Sequence, residues 1–73
     1  MDEYNKELWS WILNMTIAAY LNDEPDIQVR RMAKKYRKLT TDKSNRRTLG
    51  KIIKSSRPSL VIKVAYEELI SQS

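Results

Sequence analysis

The chain has 73 residues with 14 lysines and arginines against 9 aspartates and glutamates, a net charge of +5, and neither cysteine nor histidine. Disulfide frameworks and the usual Cys/His metal sites are therefore excluded, and with them the commonest general base and the strongest side-chain nucleophile, so no enzyme, catalytic residue, metal ligand or cofactor is expected. A chain this short forms one domain over 1–73 and hides only roughly 60% of its unfolded surface, which leaves a partner subunit as the remaining means of support.

The charge is segregated. Residues 1–26 set Asp2, Glu3, Glu7, Asp23, Glu24 and Asp26 against Lys6 alone, whereas residues 30–54 place eleven lysines and arginines around the single Asp42. The last stretch balances Arg57 and Lys63 with Glu67 and Glu68. An anionic partner would be steered to the middle of the chain.

In chain order, Tyr4, Leu8, Trp11, Ile12, Met15, Ala18 and Ala19 recur at helical intervals and predict a helix over 3–21. Trp9, Leu13, Ile17 and Tyr20 extend its apolar surface beyond one stripe, as a helix does when it packs on two sides or on a second copy. A homodimer through residues 4–20 is the corresponding expectation, with Trp9 exposed or at the subunit contact. Acidic residues near the N-terminus and interrupting polar residues do not match an export signal, and no run reaches the 18 or more apolar residues of a membrane span. Together with the absence of cysteine this points to a cytoplasmic protein.

Pro25 stops the first helix and suits the first turn of the next, where Asp23, Glu24 and Asp26 complement the positive helix end. The second helix, 25–39, buries Val29, Met32, Ala33 and Tyr36 and presents Arg31, Lys34 and Lys38 on the other side. The polar run "TTDK" leads to a third helix over 44–55, with Leu49, Ile52 and Ile53 inward and Arg47, Lys51 and Lys54 outward. Gly50 inside that helix reads as a point of close helix packing, ahead of a close approach to a ligand backbone.

The residue before Pro58 is biased out of helical geometry, so the third helix ends by Ser56 and a fourth segment follows. Residues 59–71 are rich enough in Leu, Val and Ile for a strand. The alignment of Lys63, Glu67 and Ser71 at intervals of four favours a helix, largely buried. With one glycine and two prolines in the chain there is little hairpin chemistry. The expected fold is all-α, a small bundle of three to four helices with a loose helix-turn-helix-like pair in the middle.

Function follows from the basic segment. A solvated helix face ordinarily mixes signs, yet the second and third helices offer almost no acid at i+4 to offset their cations. The expected partner is nucleic acid, DNA ahead of RNA, bound by a small regulator of transcription. In this reading Asn45, Arg47, Thr48 and Lys51 approach base edges in the major groove, while Arg31, Lys34, Lys38, Arg46 and Lys54 hold phosphates. The second helix is long for the motif and its turn lacks the usual glycine. The aromatic residues fall mainly on apolar stripes and are expected in the core rather than stacked on bases. The alternative is a helical protein-binding module that meets an acidic protein through the same face, such as an inhibitor, an immunity-type protein or a phage-encoded modulator of host machinery.

Overall fold

A computed structural model describes residues 6–71 of the chain. Four helices follow one another: α1 (Lys6–Leu21), α2 (Pro25–Leu39), α3 (Lys43–Lys54) and α4 (Pro58–Ser71). The described residues contain no strand. The fold is therefore the expected all-α bundle, and the fourth segment is a helix. The predicted start of the first helix, residues 3–5, lies outside the described residues.

The junctions explain why one glycine suffices. None of the described residues has a positive φ. Instead α2 and α3 end on extended residues, Thr40 and Ser55, whose amides still donate back into the last turn of the helix. The next helices begin with side-chain help. Asp42 accepts a hydrogen bond from the Asn45 amide at 2.9 Å, so α3 starts at Lys43 and the turn from α2 shortens to Thr40, Thr41 and Asp42. At α4 the residue before Pro58 is Arg57, which has no side-chain acceptor to cap with. Asp26 of α2 supplies one from across the bundle, accepting from the Ser59 amide at 3.0 Å and the Ser59 hydroxyl at 2.6 Å. The Asp26 carboxyl is held below its ordinary value first by the Ser59 hydroxyl, then by the Ser59 amide, with the charges of Arg57 and Arg30 adding to the effect.

The core is built from Ile12, Met15 and Ala19 of α1, Val29 and Ala33 of α2, Leu49 and Ile52 of α3, and Ile62 of α4. Leu8, Trp11, Met32, Tyr36 and Ile53 pack against it partly buried, as their helical spacing predicts. Each fully buried Val, Leu or Ile contributes about 1.5–3 kcal/mol relative to exposure. Helix α2 is central and packs on all three others, whereas α1 and α3 barely meet.

One expectation about α4 is corrected: it is not largely buried. Pro58 and Ile62 are enclosed, but Leu60, Val61, Val64 and Ile70 remain substantially exposed. The helix packs mainly on α1, less on α2 and least on α3, and these contacts leave part of its circumference without partners. Trp9 is half-buried rather than free, stacked on Tyr66 of α4 with ring centroids 6.0 Å apart.

Candidate nucleic-acid interface

Helices α2 and α3 lie against each other and are lashed together by two arginines, each acting on the other helix's C-terminal end. Arg30 of α2 donates from Nε to the Ile53 carbonyl at 3.1 Å and from Nη2 to the Ser55 carbonyl at 2.7 Å. Arg46 of α3 donates from Nη1 to the Arg37 carbonyl at 2.9 Å and to the Thr40 carbonyl at 3.5 Å. Both meet carbonyls that a helix end leaves without partners, at the end that favours positive charge. Between them these bonds fix how the outer faces of α2 and α3 sit side by side.

Those outer faces form two open concavities that share a wall. One, of about 210 Å³, is lined by Lys34, Arg37, Lys38, Arg46 and Ile53. The other, of about 370 Å³, is lined by Arg37, Arg46, Arg47, Gly50, Lys51, Ile53 and Lys54. At roughly 30 Å³ per molecule of liquid water, even the larger holds about a dozen waters and is open on one side. It cannot enclose a sizeable substrate. It can seat small anionic groups of something larger.

Among the described residues, seven cations line these surfaces and no carboxylate does. Among the described residues none of the seven is paired with an acid. The acids nearest in sequence or space have other employment. Asp42 caps α3, and Glu7 of α1 accepts hydrogen bonds from the Thr40 hydroxyl and the Asn45 side-chain amide, each at 3.2 Å. The positive charge is thus neither scattered nor neutralised from within the described residues.

Of the residues expected here, Lys34, Lys38, Arg46, Arg47, Lys51 and Lys54 are brought together. Arg31 is exposed on α2 but lines neither concavity. Thr48 is half-buried, and its hydroxyl donates to the Ser44 carbonyl at 3.1 Å, back along its own helix. Asn45 requires a correction. It was placed at base edges, but it is only 1% exposed and its side chain is turned inward to Glu7. The signal was present in the sequence: Asn45, Leu49 and Ile52 are spaced i, i+4 and i+7, the same inward stripe.

Sequence reasoning left Arg37 out of the candidate surface, and its favoured reading of Gly50 does not hold. Arg37 lies one turn beyond Lys34 and, with Arg46 and Ile53, lines both concavities. Gly50 is not a site of close helix packing. A Cβ added there would meet only the Arg37 Nε within 4 Å, at an ordinary 3.8 Å. The glycine keeps the floor of the larger concavity low beneath that guanidinium.

The described aromatic residues are occupied elsewhere. Tyr36, from the basic segment, stacks on Trp11 of α1 with centroids 4.9 Å apart and planes 12° from parallel, and Tyr20 lies beneath the Lys63 ammonium at 4.5 Å. With Trp9 on Tyr66, no aromatic ring among the described residues lines either basic concavity. Among the described residues no group of three metal-ligating side chains is assembled, and no helix is long and apolar enough to cross a membrane. No family model matches the chain, and no curated protein or solved structure matches it either.

Proposed function

We propose that this protein binds duplex DNA through the phosphate backbone, using the basic surface of α2 and α3, and acts as a small cytoplasmic regulator of transcription. The observation that carries the reading is the convergence of seven lysines and arginines on two adjoining concavities, with no carboxylate lining them or paired with them among the described residues. Like charges gathered this way repel one another and lower stability, and a polyanion relieves that cost while releasing its own condensed counterions.

Duplex is favoured over single-stranded nucleic acid because strand binders use aromatic rings as stacking platforms, and among the described residues no ring lines this surface. Phosphates are favoured over extensive base reading because Asn45, the residue best suited to adenine, is withdrawn into the bundle. Arg47 and Lys51 are the exposed α3 residues left for guanine edges. The proposal is therefore firm affinity with modest sequence preference. Pairing of two copies would double the phosphates engaged and suit sites with two-fold symmetry.

The test is a mobility-shift assay at low and moderate salt with random duplex, single-stranded DNA and RNA, comparing the parent with the quadruple variant Lys34→Gln, Lys38→Gln, Arg47→Gln and Lys51→Gln. The parent retards duplex most strongly. The variant loses that binding while its helical circular dichroism is retained. Equal binding by the variant refutes the surface, and absence of binding by the parent transfers the face to an acidic protein.

A further inference from the structure

The two arginines that tie α2 to α3 use different edges of the guanidinium. This group presents its N–H donors as a rigid planar fork, and the edge formed by Nε and one Nη can grip a phosphate or carboxylate in a bidentate way. Arg30 spends that edge inside the protein, with Nε on the Ile53 carbonyl and Nη2 on the Ser55 carbonyl. Arg30 lines neither concavity. Arg46 is held instead by Nη1, which reaches the carbonyls of Arg37 and Thr40. Its Nε and Nη2 make no hydrogen bond among the described residues, and Arg46 lines both concavities.

Arg46 also differs from the cations around it. Of the seven that line the concavities it alone is half-buried, and it alone is hydrogen-bonded through its side chain among the described residues. The others are exposed and give up rotamer freedom when they meet an anion, a loss that Arg46 has largely taken on folding. The carbonyls that hold it lie at the C-terminal end of α2, whose partial negative charge steadies the guanidinium without neutralising it. A second charge is near. Gly50 follows Arg46 by one turn of α3, and the Arg37 Nε would stand 3.8 Å from a Cβ at Gly50. Arg37 thus reaches across from α2 to the turn of α3 that follows Arg46.

We propose that Arg46 is the fixed arm of a phosphate seat: the free edge of its guanidinium takes the non-bridging oxygens of one phosphate group, and Arg37 supplies the second charge. The proposal rests on the DNA-binding reading of this surface only for the source of that phosphate, a phosphodiester of the backbone. Such a chain brings anions at close, regular spacing to the cations on both sides of Arg46, which a folded acidic protein does only where its carboxylates are equally dense. Lysine is no substitute at this position. A single ammonium is a point charge that must choose between the α2 carbonyls and the phosphate, whereas the guanidinium serves both.

The test follows the Arg46 Nε–H resonance by proton–nitrogen correlation NMR of the intact chain, assigned by its disappearance in Arg46→Lys, as random duplex or inorganic pyrophosphate is added. Either probe shifts this resonance and slows its exchange with water, while the Arg30 Nε–H, already bonded to a carbonyl, stays in place. In fluorescence anisotropy Arg46→Lys weakens duplex binding about tenfold, whereas Arg47→Lys, at an exposed and unanchored position, weakens it about twofold. The salt dependence stays equally steep in both variants because the charge is kept. The seat is overturned by an Arg46 resonance that neither probe moves, by duplex binding that leaves it unmoved, by equal losses in the two lysine variants, or by a response to polyglutamate larger than that to duplex and pyrophosphate. A resonance moved by pyrophosphate in a parent that does not bind duplex upholds the seat and refutes only the function proposed for α2 and α3.

Discussion

Replacing Lys34 and Lys51 together by glutamine should change not only how tightly the protein holds DNA but how that affinity responds to salt. One residue lies in the smaller concavity and the other in the larger. Each lysine that neutralises a phosphate steepens the log–log dependence of affinity on salt by about 0.9 for B-form DNA. If about five of the seven lining cations engage phosphates, the parent slope is about −4.5, and affinity falls about 500-fold between 50 and 200 mM salt. The double variant engages about three, its slope relaxes to about −2.7, and the same change of salt costs about 40-fold. Fluorescence anisotropy of a labelled random duplex, titrated at four or more salt concentrations spanning about 50 to 200 mM, measures both slopes. A variant that weakens binding while keeping the parent slope would show that these lysines shape the protein and do not touch phosphates. A parent slope shallower than about −2 would mean that the clustered charge is not what binds.

Gly50→Ala should stabilise the protein, because the new methyl meets only the Arg37 Nε at 3.8 Å and the helix gains propensity. The gain is about 1 kcal/mol, read as a rise of roughly 4–8 °C in the thermal midpoint with DNA affinity retained. Asn45→Ala should cost about 1–3 kcal/mol in chemical denaturation by removing the buried donor to Glu7, and should leave base preference unchanged. A shift in base preference without loss of stability would refute the inward placement of Asn45. Asp26→Ala should flatten the acid limb of the stability profile. The folded-state carboxyl sits below its ordinary value of 3.8, so its contribution is present above that value and disappears as pH falls through the lowered one. Parent and variant midpoints should differ at neutral pH and converge in acid, checked by thermal melts across that range.

Helix boundaries were open to sequence reading because they are local. Pro25 and Pro58 set two of the starts, and Val29, Met32, Ala33 and Tyr36 declare the inner face of α2 by spacing alone. The third start slipped by one residue because the cap is Asp42, a choice made by a single side-chain hydrogen bond to Asn45. The candidate surface was legible in part for the same reason: a helix that lacks acids at i+4 shows its unrelieved charge in one dimension.

Sequence by itself determined three helices and favoured a fourth, and it determined the separation of acidic from basic segments and most of the α2 and α3 residues that face outward, since each depends on residues within a turn or two of one another. Tertiary structure decided what each outward residue is free to do. Arg30 and Arg46 end on carbonyls of the facing helix, Asn45 is claimed by a glutamate 38 positions away, and Arg37 gains its place above Gly50 only because α3 lies beside α2. It also decided that α4, apolar enough to be buried, would keep Leu60, Val61, Val64 and Ile70 exposed. Burial and pairing depend on which surfaces meet in space, and a periodic pattern along one helix carries no record of its neighbours.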